Sequence, residues 1–158
     1  GARIDRMIGA AAGPPVSDQL RTVLDEVRAG LRFGVHLFGC HRAGTSRARL
    51  SLMDIDPDYP LSDPGRLLHD LTASAAGRLM TAIGSGHPAA APTHASQIGS
   101  FIPNFGCVSV PVWGADSTLV AALTIAAPAK HIENPETLVR LLADPARRVA
   151  EIMAPGEE

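Results

Sequence analysis

The stretch from Gly106 to His131, GCVSVPVWGADSTLVAALTIAAPAKH, constrains this chain more than any other, because two strand-like runs face each other there across a turn. In the first arm, Cys107 to Trp113, the thiol of Cys107 and the hydroxyl of Ser109 alternate with Val108, Val110 and Val112. Successive side chains on a strand point to opposite faces, so the valines enter a core while Cys107 and Ser109 can line a cavity. The second arm, Leu119 to Ala126, is apolar almost throughout. Between the arms Gly114 is free to take positive φ and Asp116 can bond its own backbone, which predicts a hairpin. A two-stranded ribbon is marginal in water, so the rest of the chain has to supply more strands and a covering helix.

With 158 residues the chain reads as a single domain. Its net charge is −2 and its arginines are scattered, so it lacks the electrostatic footprint of a nucleic-acid surface and no DNA binding is expected of it alone. Two cysteines far apart, with no CxxC, give neither a disulfide framework nor a zinc spacing, and they suit a reducing, cytoplasmic setting. No apolar run approaches the ~20 residues of a membrane span, and no signal pattern opens the chain. It begins with Gly rather than Met and reads as a piece of a longer or processed protein.

Residues Arg3 to Ala12 read as the end of an incoming helix stopped by Gly13-Pro14-Pro15. A new helix is predicted from Ser17, its N-cap, with Val16, Leu20, Val23, Leu24, Val27 and Leu31 on one stripe and Gly30 at the C-terminal cap. Phe33 to Cys40 reads as a strand with Phe33, Val35 and Leu37 on one face and His36 and Phe38 on the other. A polar loop through Arg42, Gly44 and Ser46 leads to a second strand, Arg47 to Asp54. There Arg49, Ser51 and Met53 form a partly wet face against Leu50 and Leu52. Turns follow at Asp56-Pro57-Asp58 and Ser62-Asp63-Pro64-Gly65. Leu67 to Ile83 carries helical spacing at Leu68, Leu71, Ala75, Leu79 and Ile83, and its small-residue middle lets another backbone or a ligand come close. Gly84 to Ser100 reads as a loop. After the hairpin, Asn134-Pro135-Glu136 predicts a helix start, with Asp144-Pro145 kinking or restarting the helix. Its buried stripe is Leu138, Leu141, Leu142, Val149, Ile152 and Met153.

The chemistry-bearing residues admit several readings. Cys40 or Cys107 with one of the six histidines would make a nucleophilic pair, but no nucleophile motif surrounds either, and a buried inert thiol is the simpler account. Metal binding by His87, His94 and Cys107, or by His36 and His41, lacks the spacing that puts two ligands on one helix face. Surface histidines, or core histidines with their hydrogen bonds made, account for them more simply. Gly84-Ser85-Gly86 lacks the Lys-Ser/Thr of a phosphate loop. The remaining candidate is a pocket under Ser74 to Gly77, formed by Cys107 and Ser109 opposite Thr124 and Ala126. Neutral polar groups on rigid strands roofed by small residues suit a small polar ligand, although a tight strand-helix contact uses the same residues.

Two segments carry a family resemblance: Ser74-Ala75-Ala76-Gly77-Arg78 with Leu79 and Ala82, and Cys107 to Val112 followed by Ala115-Asp116 and Val120 to Pro128. They resemble the C-terminal effector-binding domain of IclR-type bacterial transcriptional regulators, a relative of the GAF fold. The implied fold is α+β, a GAF-like antiparallel sheet with helices packed on its faces. The resemblance implies residues 1–13 as the tail of a linker helix and 14–158 as the effector domain, with winged helix-turn-helix heads preceding Gly1. It implies a sensor rather than an enzyme, with no catalytic residue, cofactor or metal, which binds a small organic or aromatic acid and acts as a homodimer or homotetramer. Carried over by position, Cys107 and Thr124 match pocket residues, Ala126 stands where a hydroxyl is frequent, and Ser74, Ala75, Ala76 and Gly77 close over the ligand. The sequence departs from the family pattern at Ser100, where an acid is common, at Trp113-Gly114, and in the short Gly84 to Ser100 segment. The alternative is a GAF-like oligomerisation domain whose cavity is filled by its own side chains.

Overall fold

The computed structural model describes residues 17–41, 49–56, 71–84 and 90–153. The helix at Arg3 to Ala12, the 13/14 boundary, the Arg42 to Ser46 loop, the turns at 57–65 and His87 lie outside them. Helix α1, Asp18–Ala29, starts where Ser17 Oγ accepts the Leu20 N–H, and Asp18 complements the positive end of the helix dipole. Strand β1, Gly34–His41, follows, then β2, Arg49–Asp54, and α2, Ala75–Ile83. Strands β3, Ala95–Ile98, β4, Phe105–Trp113, and β5, Leu119–Pro128, lead to a short helix α3, Ala129–Ile132, and to α4, Glu136–Ile152.

All strand pairs are antiparallel, in the order β2-β1-β5-β4-β3, so the β4–β5 hairpin is placed inside the sheet as expected. Its register sets Ser109 opposite Thr124 and Cys107 opposite Ala126. Period-two alternation then sorts the two faces. Val35, Leu37, Val108, Val110, Leu123 and Ile125 pack against Leu20, Val23 and Leu24 of α1 and Leu138, Leu142 and Val149 of α4. On the opposite face Phe38, Leu50, Leu52 and Ala122 pack against Ala76, Leu79 and Ile83 of α2.

Five local expectations are corrected. The supposed loop of 84–100 contains β3, a short strand that pairs Ala95 with Ser109 and Gln97 with Cys107. Of the helix expected over Leu67 to Ile83, residues 67–70 lie outside the described ones; Leu71–Ala73 form a 3₁₀ turn, and the extended backbone of Ser74 (ψ 160°) interrupts the helical path before α2 starts at Ala75. Helix α4 does not restart at Asp144-Pro145 but continues through Pro145 as one helix. Proline has no N–H, so the Leu141 carbonyl loses its usual donor, and this falls on a water-facing turn. Leu141 is accordingly 49% exposed, and Ala146 takes its expected place in the buried stripe. Ser51, expected on a wet face, is buried and hydrogen-bonded to His41 Nε2 at 3.0 Å.

Candidate functional site

The face of the sheet under α2 carries the polar groups. Strand alternation puts His36 and Phe38 of β1, Cys107 of β4 and Thr124 of β5 on it, and the pairing of Gln97 with Cys107 brings in β3. Helix α2 packs Ala76, Leu79 and Ile83 on this face and starts beside the polar groups, where Ser74 caps it, its Oγ accepting the Gly77 N–H at 2.9 Å. The cap takes the Gly77 N–H; the Ala75 and Ala76 N–H groups precede the first carbonyl an intrahelical bond can use, and both residues border the site. Ser74, Ala75 and Ala76 are all buried, and side chains this small permit the close approach.

Between these elements lies a concavity of about 270 Å³ counted out to open solvent, of which only about 10 Å³ can hold the centre of a water molecule. Room for about one water remains at its heart. Ser74, Ala75, Ala76, Cys107 and Thr124 border it, as the sequence suggested, together with His36, Phe38, Gln97 and Phe101, which it did not. Gly77, Ser109 and Ala126 are buried nearby without bordering it. The Gly77 N–H is spent on the cap, and Ser109 Oγ lies 2.7 Å from Thr124 Oγ1, supporting that hydroxyl from behind. Phe101 comes from the connection between β3 and β4, which reverses through positive φ at Gly99 and Asn104.

Behind His36 stands a buried ionic cluster with no motif to announce it. Arg28 of α1 donates through Nη2 to the Val35 carbonyl at 2.7 Å and sits 3.0 Å from Asp54 Oδ2 and 3.4 Å from Asp56 Oδ2. Asp56 in turn accepts the Val35 N–H at 3.1 Å through Oδ2 and gives its own N–H to His36 Nδ1 at 3.1 Å. These residues come from separate segments that meet only in the fold. His36 is therefore neither a surface histidine nor one with both nitrogens satisfied: Nδ1 is bonded, while Nε2 has no partner among the described residues.

Cys107 does not have the electronics of a nucleophile. Burial pushes its thiol up to about 11, against a smaller opposing effect of its hydrogen bond with Gln97, so the thiolate is scarce at neutral pH. Among the described residues no group of three or more His, Cys, Asp or Glu is placed to hold a metal ion. No helix among them is long and apolar enough to cross a membrane.

The architecture is an α+β domain whose antiparallel sheet carries α1 and α4 on one face and α2, its capped start beside a polar patch, on the other. No family model and no curated protein matches the chain. Solved structures do match in fold. One is described as an IclR-family transcriptional regulator of Rhodococcus sp., with TM-score 0.57 and 19% identity over 99% of this chain and 70% of that one. Another is the C-terminal domain of the E. coli transcriptional regulator KdgR, with TM-score 0.55 and 13% identity over 85% of this chain and 96% of that one. A third is an IclR transcriptional regulator of Alicyclobacillus acidocaldarius, with TM-score 0.54 and 16% identity over 96% and 73% of the two chains. The chain thus has the fold of the C-terminal domain of IclR-type regulators.

Proposed function

We propose that this chain is the small-molecule-sensing domain of an IclR-type transcriptional regulator and not an enzyme. In this reading a small organic acid sits between the sheet and the start of α2. Its binding changes how homodimers or homotetramers present DNA-reading heads located before Gly1 in a full-length cytoplasmic protein. The observation that supports it is the meeting of the start of α2, Ser74 to Ala76, with Cys107 and Thr124 around one concavity, in this fold.

The walls favour a particular acid. No Lys or Arg among the described residues borders the site, so a bare dicarboxylate loses more hydration than neutral groups return. A monoacid with an aromatic or branched body can set its carboxylate at the helix N-terminus, where backbone N–H groups favour an anion, and its body against Phe38 and Phe101. Since the heart of the site has room for about one water, such a body enters by moving side chains that line it.

A thermal-shift panel tests this. Binding to the native state alone stabilises it by about 2.7 kcal/mol at ~100 times the dissociation constant. Aromatic or branched monoacids are expected to raise the melting temperature and small dicarboxylates not to; the opposite pattern rejects the ligand class. Replacing Thr124 by Val strands the buried Ser109 hydroxyl at a cost of about 1–3 kcal/mol, so the cleaner variant is Ser109→Ala with Thr124→Val. That double variant is expected to fold as stably as the parent and to give a smaller ligand shift. No shift with any small acid, from a chain that still self-associates in light scattering, would leave oligomerisation as the role.

A further inference from the structure

We infer that His36 is the group that selects the ligand's acid function: its ring presents a single N–H, on Nε2, to the space beside the first turn of α2, where a carboxylate oxygen accepts it. The inference rests on the sensing role proposed above and names the recognition chemistry within that site.

His36 has 0% exposure and borders the concavity. Because Nδ1 accepts the Asp56 N–H, the neutral ring carries its proton on Nε2. The Arg28–Asp56 pair, itself tied to both backbone groups of Val35, holds that bonding partner in place. Burial keeps the ring neutral, so it offers a donor without a fixed positive charge.

The other polar walls each have a partner within the protein. Ser74 Oγ takes the Gly77 N–H, the Thr124 and Ser109 hydroxyls share one hydrogen bond, and Gln97 Oε1 takes the Ser100 N–H. A buried donor without a partner is costly to keep, and native proteins rarely carry one without a use. Here it borders the same space as Ala75 and Ala76, whose N–H groups have no intrahelical carbonyl to bond, and no Asp or Glu among the described residues borders that space. Donors with no acceptor of their own around one space suit a group that only accepts, which is a carboxylate and not an amine or a neutral amide.

Histidine-selective nitrogen-15 NMR of the whole chain, titrated with benzoate, isobutyrate, benzamide and succinate, reads the contact directly. The expected result is an Nε2–H tautomer at His36 whose proton resonance moves with benzoate or isobutyrate and not with benzamide. His36→Asn keeps an acceptor for the Asp56 N–H and removes the Nε2 donor. It is expected to weaken benzoate or isobutyrate binding about tenfold or more. His36→Gln, which returns an N–H near the lost one, is expected to recover part of it. An Nδ1–H tautomer overturns the role of His36. So does a His36→Asn chain that binds these acids as tightly as the parent while the Ala75 and Ala76 amides still shift; either result leaves the sensing role standing. If no acid moves any resonance of Ser74 to Gly77, Cys107 or Thr124, both are rejected. Should His36→Asn fail to fold, the tautomer and the parent titration decide alone.

Discussion

At His36, loss of hydration outweighs the attraction of the nearby Asp56 carboxylate and, with a smaller push from Arg28, lowers the imidazole from its ordinary 6.5 to about 4. Between those values the unfolded chain binds a proton that the folded chain refuses, so stability rises with pH across this window. The contribution is fully present above pH ~6.5 and is lost as pH falls toward ~4. Between pH 7 and 4.5 this one residue is expected to remove about 2 kcal/mol. Carboxylates elsewhere titrate over the same range, so the measurement is a difference: urea unfolding of the parent and of His36→Asn at both pH values. The parent should lose about 2 kcal/mol more than the variant. Equal losses would show that the folded imidazole titrates normally.

Among the elements, β3 depends on one residue of its neighbour. Ile98 pairs with Gly106, and a Cβ at that glycine would collide with the Gln97 carbonyl oxygen. Only glycine lets β4 approach this closely, and Gln97, whose side chain borders the site, is positioned by that approach. Gly106→Ala is expected to cost about 1–3 kcal/mol and to speed hydrogen exchange at the β3 amides before those of β1 and β5. A variant as stable as the parent, with β3 protection unchanged, would mean that the strand yields without penalty. Arg78 ties the same edge to α2 from outside, donating to the Ser96 carbonyl at 3.4 Å and to Ser100 Oγ at 3.3 Å. The position where an acid is common in the IclR pattern thus receives an arginine here through a neutral hydroxyl.

For the molecule as a whole, the two faces of the sheet serve different ends. One is closed by α1 and α4 into the larger apolar core, with Arg148 of α4 reaching Glu26 of α1 at 2.8 Å on the surface. The other carries a smaller core beside the polar concavity, so a change at the site can be accommodated without opening the main core. The net charge of −2 supplies no counterion-release drive toward a polyanion. Titration of this chain with duplex DNA at moderate salt is therefore expected to show no sequence-selective binding tighter than about 1 μM, the non-specific range. Selective sub-micromolar binding would refute that expectation.

The hairpin, the α1 cap at Ser17, the alternation of β1 and the facing of Ser109 with Thr124 were legible in the sequence, because each is decided by neighbours within a few residues or by strict period-two geometry. Half of the site was legible for the same reason: Ser74 to Ala76, Cys107 and Thr124 sit where capping and alternation put them. Strand β3 was not, since Ala95-Ser96-Gln97-Ile98 has little β character of its own and becomes a strand by pairing with β4. The exposure of Leu141 likewise followed from which turn of α4 faces water, something helical spacing alone left open. His36, Gln97 and Phe101 entered the site only when distant segments packed together, and the Arg28–Asp54–Asp56 cluster exists nowhere along the chain as a pattern. Local bonding and periodicity belong to the sequence; which donor is left buried without a partner depends on what surrounds it in three dimensions, and only the tertiary structure decides that.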